Sequence, residues 1–451
     1  MPIRSIPFRE NAAKAVRNES LRQAMRYSTD VFMKKRAEGI ANLPMEAWRE
    51  KASAIRTEVL QNLREYLEQF SAAAEKAGAK VHFARDAALA RQTMASILTR
   101  HAVKKIVKAK SMVTEEIHLN QHLESLGMEV TETDLGEYIV QLAGEKPSHI
   151  LAPAIHKNRY DIGRLLADKL VVEYSHDTEV LTKVARRALR AKFLAADAGI
   201  TGANFAVAET GTIVIFTNEG NGRMVTTLPP LHIAVLTIEK IIPTLSQLGA
   251  FSRLLARGAT GQPLSSYLSV ITGTRKPGEA TGAQELHIVF LDNGRFDILE
   301  GEYWEIMKCI RCSACFNTCP VYRVVGGHAY EATYSGPMGM VLTALLEGMD
   351  RAHPLLDATT LCGACTDVCP VKIPLTSLFT RLREQRAEMG LTSLTERKAM
   401  AAFGMVAGSP ALFSMSQRLS RLFWPVLSSL VASSRVDRLP RPTATPFSRK
   451  T

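Results

Sequence analysis

The chain has 451 residues, of which 46% are hydrophobic and 22% charged. This length predicts two or three domains, and the composition excludes a fibrous or wholly disordered protein. Seven Cys in such a chain exclude a disulfide-built scaffold. Residues 394–451 hold nine Lys or Arg and two acidic residues, which is +7 of the formal charge of +12. These basic residues lack interleaved aromatics and a nucleic-acid-binding motif, so we expect a solvated tail and no nucleic-acid partner.

The sequence shows no sign of export or of a membrane span. Residues 1–9 lack the apolar core of a signal peptide. The longest uncharged run, Ala399–Gln417, is interrupted by Gly404, Gly408 and Pro410, whereas a spanning helix needs about 20 predominantly apolar residues. We therefore expect a cytoplasmic protein without a transmembrane segment, and peripheral contact with a membrane is left open.

Residues 1–75 are predicted to be a helical N-terminal region, because Ile55, Val59, Leu63 and Leu67 recur at spacing four. From Lys80 onward, short β-rich runs alternate with helical stretches. The predicted strands are 81–83, 105–107, 129–131 and 149–151, and the predicted helices are 86–101 and 114–126. This alternation is typical of βαβ units and a largely parallel sheet.

A hairpin is predicted over 204–217, with the turn at 209–212, and further strands are predicted at 233–237 and 286–291. We place the α/β domain at 76–300. Residues 301–385 form a different domain, with two Cys motifs separated by a helical stretch over 338–351. Residues 386–451 are predicted to be a helical segment followed by a disordered basic tail.

All seven Cys lie in two motifs of the 301–385 domain. The first, Cys309-x2-Cys312-x2-Cys315-x3-Cys319-Pro320, is the run found in two-cluster bacterial ferredoxins, in which the fourth Cys ligates the other cluster. The long, helical spacer before the second motif favours a mostly helical ferredoxin-like module.

The second motif, Cys362-x2-Cys365-x3-Cys369-Pro370, repeats the first but has Thr359 at the position of the first Cys. Exchanging the fourth ligands gives two sets. Cluster 1 takes four thiolates and fits [4Fe–4S], whereas cluster 2 has three and is either [3Fe–4S] or [4Fe–4S] with a non-cysteine fourth ligand. The two sets are Cys309, Cys312, Cys315 and Cys369 for cluster 1, and Cys319, Cys362 and Cys365 for cluster 2.

A structural zinc site is the alternative interpretation of these cysteines. Zinc takes four ligands from paired knuckles, and seven Cys in this spacing do not divide that way. Iron–sulfur clusters are therefore favoured, and they agree with a reducing compartment.

Outside the cysteines, one loop is a candidate ligand site. Residues Asn218, Glu219, Gly220, Asn221, Gly222 and Arg223 follow a predicted strand, where α/β domains place ligand loops, although any strand-end turn looks similar. His118 and His122 stand four apart on a predicted helix, and a solvated helix face is favoured over a metal site. We recognise no nucleotide or flavin motif.

Five stretches of the sequence carry a family resemblance, namely residues 149–159, 199–211, 217–230, 309–320 and 362–374. Together they resemble the lactate utilization protein B family, the iron–sulfur subunits of a bacterial L-lactate oxidation system. The resemblance covers nearly the whole chain. The long middle stretches are the more specific part, because such Cys motifs recur in many electron-transfer subunits.

The resemblance implies a middle domain of LUD type, similar to the α/β fold of sugar-phosphate isomerases and CoA transferases. It implies partners of two kinds, a cysteine-rich A-type subunit and a C-type subunit with a LUD domain. The chain would then relay electrons from the site of L-lactate oxidation to an acceptor that the sequence does not identify. Two alternatives stay open: an electron-transfer subunit for another 2-hydroxy acid, and a ligand-binding protein whose clusters sense redox state.

Overall fold

The computed structural model describes residues 4–423. The chain divides into two compact units, one up to Leu382 and one from Arg383. The limits predicted above for the N-terminal region, the α/β domain and the cysteine domain stay predictions. The predicted basic tail lies largely outside the described residues.

Four helices form the N-terminal region, which confirms its predicted helical character. They are α1 (Phe8–Arg17), α2 (Glu19–Ile40), α3 (Met45–Gln61) and α4 (Leu63–Lys76). The side chain of Asn18 caps α2 by accepting a hydrogen bond from the Leu21 N–H at 3.0 Å, which satisfies a donor that the helix itself leaves free. Helix α1 packs on the cysteine-containing part of the chain. Helices α2 and α3 pack on both that part and the α/β part.

Ten strands form two sheets in the middle of the chain. They are β1 (Lys80–Ala84), β2 (Lys105–Lys108), β3 (Glu129–Glu132), β4 (Ala198–Gly202), β5 (Phe205–Val207), β6 (Thr212–Thr217), β7 (Leu231–Thr237), β8 (Ile241–Ile242), β9 (Tyr267–Thr272) and β10 (Glu285–Leu291). The larger sheet has the order β1-β10-β7-β4-β2-β3, and all its pairs are parallel. The parallel α/β fold predicted from the sequence is thereby confirmed.

The second sheet has the order β8-β5-β6-β9. Strands β5 and β6 form the predicted antiparallel hairpin, with Phe205 opposite Val214. β9 adds to β6 in antiparallel fashion, and β8 adds to β5 in parallel.

Helices cover the parallel sheet and bury its apolar strands. The helices of this part are α5 (Ala87–Arg100), α6 (Met112–Glu116), α7 (Leu119–Ser125), α8 (Leu135–Ala143), α9 (Arg159–Leu170), α10 (Thr178–Leu194), α11 (Asn221–Thr227), α12 (Leu248–Thr260) and α13 (Arg295–Glu300). Met94 and Leu98 of α5 pack with Ile106, Ile200 and Ile233 of the strands in one fully buried cluster. Burial of such side chains is the main favourable contribution to folding.

Two glycines allow α2 and α12 to come into backbone contact. A Cβ on Gly39 would lie 2.1 Å from the carbonyl oxygen of Gly261. Gly261 itself ends α12 with φ +73°, a left-handed conformation that L side chains rarely adopt. On the same contact, the Arg36 Nε–H donates to the Gly258 carbonyl at 3.1 Å. The N-terminal region is therefore fixed to the α/β part at this point.

Short helices dominate the cysteine module, which we define as residues 301–382. They are α14 (Ala314–Thr318), α15 (Tyr322–Val325), α16 (Gly336–Leu346), α17 (Met349–Ala352), α18 (Ala364–Asp367) and the start of α19 (Leu375–Glu388), with 3-10 turns at Trp304–Lys308, His328–Tyr330 and His353–Asp357. The predicted helical stretch over 338–351 is broken after Leu346, where Gly348 has φ +86°.

The second unit contains α20 (Leu394–Ala407) and α21 (Pro410–Leu422). Among residues 4–423, no single helix combines the length and apolar character needed to cross a membrane. The segments Leu394–Ala407 and Pro410–Ser420 meet that test only as a pair, and they are bent by 111° relative to each other.

Two further predicted elements are wrong. Residues 149–151 form a loop rather than a strand, because the His149 ring nitrogen Nδ1 accepts the N–H groups of Leu151 and Ala152. The helix predicted over 114–126 is two helices, α6 and α7, separated by His118 with φ +50°. His118 and His122 therefore do not share one continuous helix face.

Candidate functional site

Four of the seven cysteines line one enclosed space in the cysteine module. Cys309, Cys312, Cys315 and Cys369 surround it together with apolar neighbours that include Met338, and its cavity volume is about 20 Å³. Cys312, Cys315 and Cys369 are buried and Cys309 is half-buried. Burial raises the pKa of Cys312, and the nearby charges of Cys369 and Cys309 raise it further. The structure thus joins Cys369 of the second motif to three cysteines of the first.

The other three cysteines form a second group. Burial raises the pKa of Cys365 to about 12, and Cys319 and Cys362 contribute to this rise. Cys362 is exposed, whereas Cys319 and Cys365 are buried. This group therefore joins Cys319 of the first motif to the second motif, and it reaches the surface at Cys362.

The two motifs share their backbone conformation as well as their spacing. Arg311 and Leu361 stand at equivalent positions, and both have left-handed φ values of 59° and 54°. The Arg311 N–H donates to the Cys309 sulfur at 3.4 Å, and the Leu361 N–H donates to the Thr359 hydroxyl oxygen at 3.0 Å. The Thr359 hydroxyl thus makes the same local hydrogen bond as the Cys309 sulfur, which supports the register assigned from the sequence.

Backbone N–H groups point at sulfur in both motifs. The Tyr322 N–H donates to the Cys319 sulfur at 3.5 Å and the Ile373 N–H to the Cys369 sulfur at 3.3 Å. All seven cysteines are free, so no disulfide uses these sulfurs. Buried thiolates need such donors together with a positively charged centre. Sets of four and three thiols, most of them buried, with N–H donors fit iron–sulfur clusters, whereas the three-thiol set by itself does not complete a zinc site.

Cationic side chains surround the first group on the side of Cys309. The buried Arg56 donates to the carbonyl oxygens of Met307 at 2.8 Å and Ile241 at 3.0 Å. Arg311 forms an ion pair with the buried Glu239 at 3.1 Å, and the charges of Cys309 and Glu239 raise its pKa. Burial lowers the pKa of Lys240 to about 8. These side chains place positive charge beside the first cysteine group.

A chain of ion pairs extends from Arg311 into the α/β part. Arg295, which is fully buried, lies 3.3 Å from the Glu239 carboxylate and forms a bidentate pair with Glu116 at 2.9 and 2.6 Å. The Tyr334 hydroxyl donates to the same Glu116 carboxylate at 2.6 Å. This series of ion pairs links the cysteine module to helix α6. The sequence analysis does not predict it, because its residues are far apart in sequence.

His149 provides a second link to the cysteine module that the sequence analysis missed. Its Nε2 lies 3.2 Å from the Asn317 side-chain oxygen, and Asn317 stands between Cys315 and Cys319. Burial lowers the pKa of His149 to about 3, so the ring is neutral at physiological pH. Nearby, the Tyr322 hydroxyl donates to the Ser148 carbonyl at 2.6 Å. The loop that contains His149 therefore holds the backbone between the two cysteine groups in place.

The loop predicted as a ligand site makes contacts within the α/β part. Asn218 Oδ1 accepts the Ser266 N–H at 3.1 Å, and Glu219 accepts the Leu135 N–H at 3.2 Å. Asn221 is buried and begins α11, and Arg223 lies over the Tyr267 ring at 5.8 Å. These contacts fix the loop in place, and a ligand there stays a prediction.

A buried charged group lies at the carboxyl ends of β2 and β3. Lys108, which ends β2, forms an ion pair with Glu132 at 2.6 Å and donates to the Thr114 hydroxyl at 2.7 Å. Burial and the charge of Glu132 raise the pKa of Glu137 to about 8. Ligands bind at this edge in many parallel α/β proteins.

Comparison with protein families identifies both main parts of the chain. The family model described as LUD domain matches residues 67–291, and the model described as 4Fe-4S dicluster domain matches residues 305–373. The second match supports iron–sulfur clusters as the cofactors of the cysteine module.

Relatives of similar length share close to half of their residues with this chain. Lactate utilization protein B of Bacillus velezensis is 45% identical over 421 residues, which are 93% of this chain and 88% of the relative. The protein of that name from Anoxybacillus flavithermus is 44% identical over 445 residues, 98% and 94% of the two chains. The Bacillus subtilis protein is 44% identical over 421 residues, 93% and 88%.

A solved structure of a DUF162 family protein from Deinococcus radiodurans matches 51% of this chain and 98% of its own. The TM-score is 0.29 and the identity 17%, a similarity too low to carry an argument.

Proposed function

Because this chain belongs to the lactate utilization protein B family, we propose that it is the iron–sulfur electron-transfer subunit of a complex that oxidises L-lactate to pyruvate. One observation carries the proposal: seven free cysteines gather into a buried group of four and a group of three that reaches the surface. The match to a dicluster domain supports the same function. An iron–sulfur cluster, when bound, accepts and gives up one electron at a time.

The residues of this chain would hold and insulate the two clusters. Cys309, Cys312, Cys315 and Cys369 provide a complete set for [4Fe–4S], buried among apolar side chains such as Met338. Such burial excludes water and oxidants from the first cluster. The cations around Cys309 would stabilise its reduced, more negative state.

Cys319, Cys362 and Cys365 provide three ligands for the second cluster. We propose Thr359 as the candidate fourth ligand, because its hydroxyl makes the same local hydrogen bond in the second motif as the Cys309 sulfur makes in the first. Cys362 is exposed, so this cluster would be the one from which electrons pass to a partner. Its type, [3Fe–4S] or [4Fe–4S], depends on whether Thr359 or another group completes the set.

We propose that the chain works in the cytoplasm with a cysteine-rich A-type subunit and a C-type subunit with a LUD domain. The names of its relatives support a place in lactate utilization. Seven free thiols support a reducing compartment.

The proposal is tested with anaerobically purified protein, mixed with L-lactate in the presence and absence of the two partner subunits. We expect EPR signals of reduced clusters only with both partners, and iron and sulfide in amounts that match two clusters. Dithionite should reduce the isolated chain directly. Zinc in place of iron would refute electron transfer. If a different 2-hydroxy acid reduced the clusters and L-lactate did not, that acid would be the substrate of the complex in place of L-lactate.

Replacing Arg311 with Met should lower the reduction potential of the cluster at Cys309. A cation next to a ligand sulfur stabilises the reduced state of a cluster. Removing the charge of a buried cation should therefore lower the reduction potential by an amount on the order of tens of millivolts. Dye-mediated redox titration followed by EPR measures the potential. Arg311→Lys keeps the charge and should recover most of the difference, whereas an unchanged potential in Arg311→Met would show that the charge has no influence.

A further inference from the structure

Two histidines and a glutamate meet where the loop after α8 faces the cysteine module. The His156 Nε2 lies 2.7 Å from the Glu145 Oε2, and the rings of His156 and His328 are 4.5 Å apart between their centroids. One ligand atom from each of the three residues lies within 4.8 Å of the others. His156 belongs to the stretch 149–159, and His328 lies beyond the first cysteine motif, so the fold rather than the local sequence brings them together.

Hydrogen bonding fixes the orientation of His328. Its Nε2 is 2.7 Å from the Lys146 carbonyl oxygen, which can only accept, so this nitrogen carries the hydrogen. The neutral ring then has its lone pair on Nδ1. Histidines that bind metals commonly donate their other N–H to a carbonyl or carboxylate in this way.

Burial and hydrogen bonds also fix the other two residues. The Nδ1 of His156 is buried and has no hydrogen-bond partner among residues 4–423. Its Nε2 and the Lys157 Nζ both contact the Glu145 carboxylate. Lys157 contacts Oε1 at 2.6 Å, and Oε2 faces His156.

We propose that His156, His328 and Glu145 bind a divalent transition-metal ion of the zinc or iron(II) class. Neutral imidazoles and a carboxylate are suitable ligands for these ions, and three protein ligands leave a coordination position for water or a small molecule. The site is separate from the seven cysteines and does not depend on the proposed electron transfer.

A second cluster of the same composition provides a matched control. His101, Glu285 and His287 also place three ligand atoms close together. There, however, both ring nitrogens of His287 have partners, Glu285 at 3.3 Å and His82 at 3.0 Å. Lys80 also lies 2.7 Å from the Glu285 carboxylate oxygen that faces His287. These contacts leave His287 no free ring nitrogen, so we do not assign a metal there.

The test is a titration of the cluster-loaded protein with Zn²⁺, after dialysis against a chelator, with calorimetry and elemental analysis. We expect one zinc ion per chain in addition to the iron of the clusters. His156→Ala and His328→Ala should weaken binding at least about 10-fold, and His101→Ala should not. Glu145→Gln, which preserves the shape of the side chain, should also weaken it. Visible absorbance of the clusters confirms that each variant is folded. Absence of zinc from the unaltered protein, equal binding in the His156 and His328 variants, or loss of binding in the His101 variant would overturn the proposal.

Discussion

Replacing Cys369 with Ala should eliminate the [4Fe–4S] signal of the cluster held by the first cysteine motif, and replacing Cys319 with Ala should eliminate the signal of the cluster held by the second. Each of these cysteines lies with the other motif: Cys369 shares an enclosed space with Cys309, Cys312 and Cys315, and Cys319 lies near Cys362 and Cys365. Loss of Cys369 leaves the first cluster with three thiolates, so its [4Fe–4S] signal should disappear or be replaced by that of [3Fe–4S], whereas loss of Cys319 leaves the second cluster with only two. Iron and sulfide analysis with EPR after anaerobic reconstitution shows which cluster remains.

The sharpest comparison asks whether two cysteines of one motif affect the same cluster or different clusters. Cys365→Ala should lose the same signal as Cys319→Ala, and Cys315→Ala the same signal as Cys369→Ala. If Cys369→Ala instead matched Cys365→Ala, each motif would hold its own cluster and the exchange of fourth ligands would be wrong. Thr359→Ala should leave the first cluster intact and change only the second.

Replacing Arg295 with Met should destabilise the protein by about 3–5 kcal/mol, since it leaves the buried Glu116 carboxylate without its cation and leaves Glu239 with Arg311 alone. Glu116 and Glu239 are almost completely buried, and Arg295 is the partner of both. Urea unfolding under anaerobic conditions at pH 7 measures the change in the free energy of unfolding.

The dependence of this loss on pH provides an internal check. Burial by itself would raise the pKa values of Glu116 and Glu239, but the cations beside them lower both below the usual range. The stability that these low pKa values contribute is present above the pKa of unfolded Glu and is lost as the pH falls through the folded values. The penalty of Arg295→Met should therefore shrink in acid, where both carboxyls become neutral. A penalty that does not depend on pH would show that lost packing, rather than unpaired charge, is the cause.

An exposed ion pair is the matched control. Arg164 lies 2.6 Å from Asp161, but about two thirds of its side chain is exposed. Such pairs contribute roughly 0–1 kcal/mol, so Arg164→Met should change stability by less than 1 kcal/mol.

The sequence predicts the parallel sheet well where the strands are apolar and β-branched. Strands β2, β7 and β10 were found within one or two residues of their ends. Strand β4 was missed because it contains two glycines, which have low strand propensity. One of them, Gly199, is needed in the fold, since a Cβ there would lie 2.1 Å from the Val225 carbonyl oxygen.

The cysteine groups could be predicted because the ligands of each cluster recur at short, fixed spacing. The groups around them could not. Arg311 and Glu239 are 72 residues apart, and Arg295 and Glu116 are 179 apart. Nothing local in the sequence marks such partners, since each is an ordinary charged residue until the fold buries it. The strand predicted over 149–151 is wrong because the run forms a loop, in which Ile150 is buried and Leu151 is exposed.

Helix α1 and the residues just before it are synthesised well before several of their partners, which lie in the cysteine module. The Ile6 N–H donates to the Arg351 carbonyl at 2.9 Å, the Phe8 ring packs on Tyr330, and Arg9 pairs with Asp357, which is 348 residues later. At a synthesis rate of about 5–20 residues per second, this interval corresponds to roughly 20–70 s. During that time Phe8, the buried residue of α1, lacks its ring partner Tyr330. Helix α1 can therefore dock on the cysteine module only after that module has been synthesised.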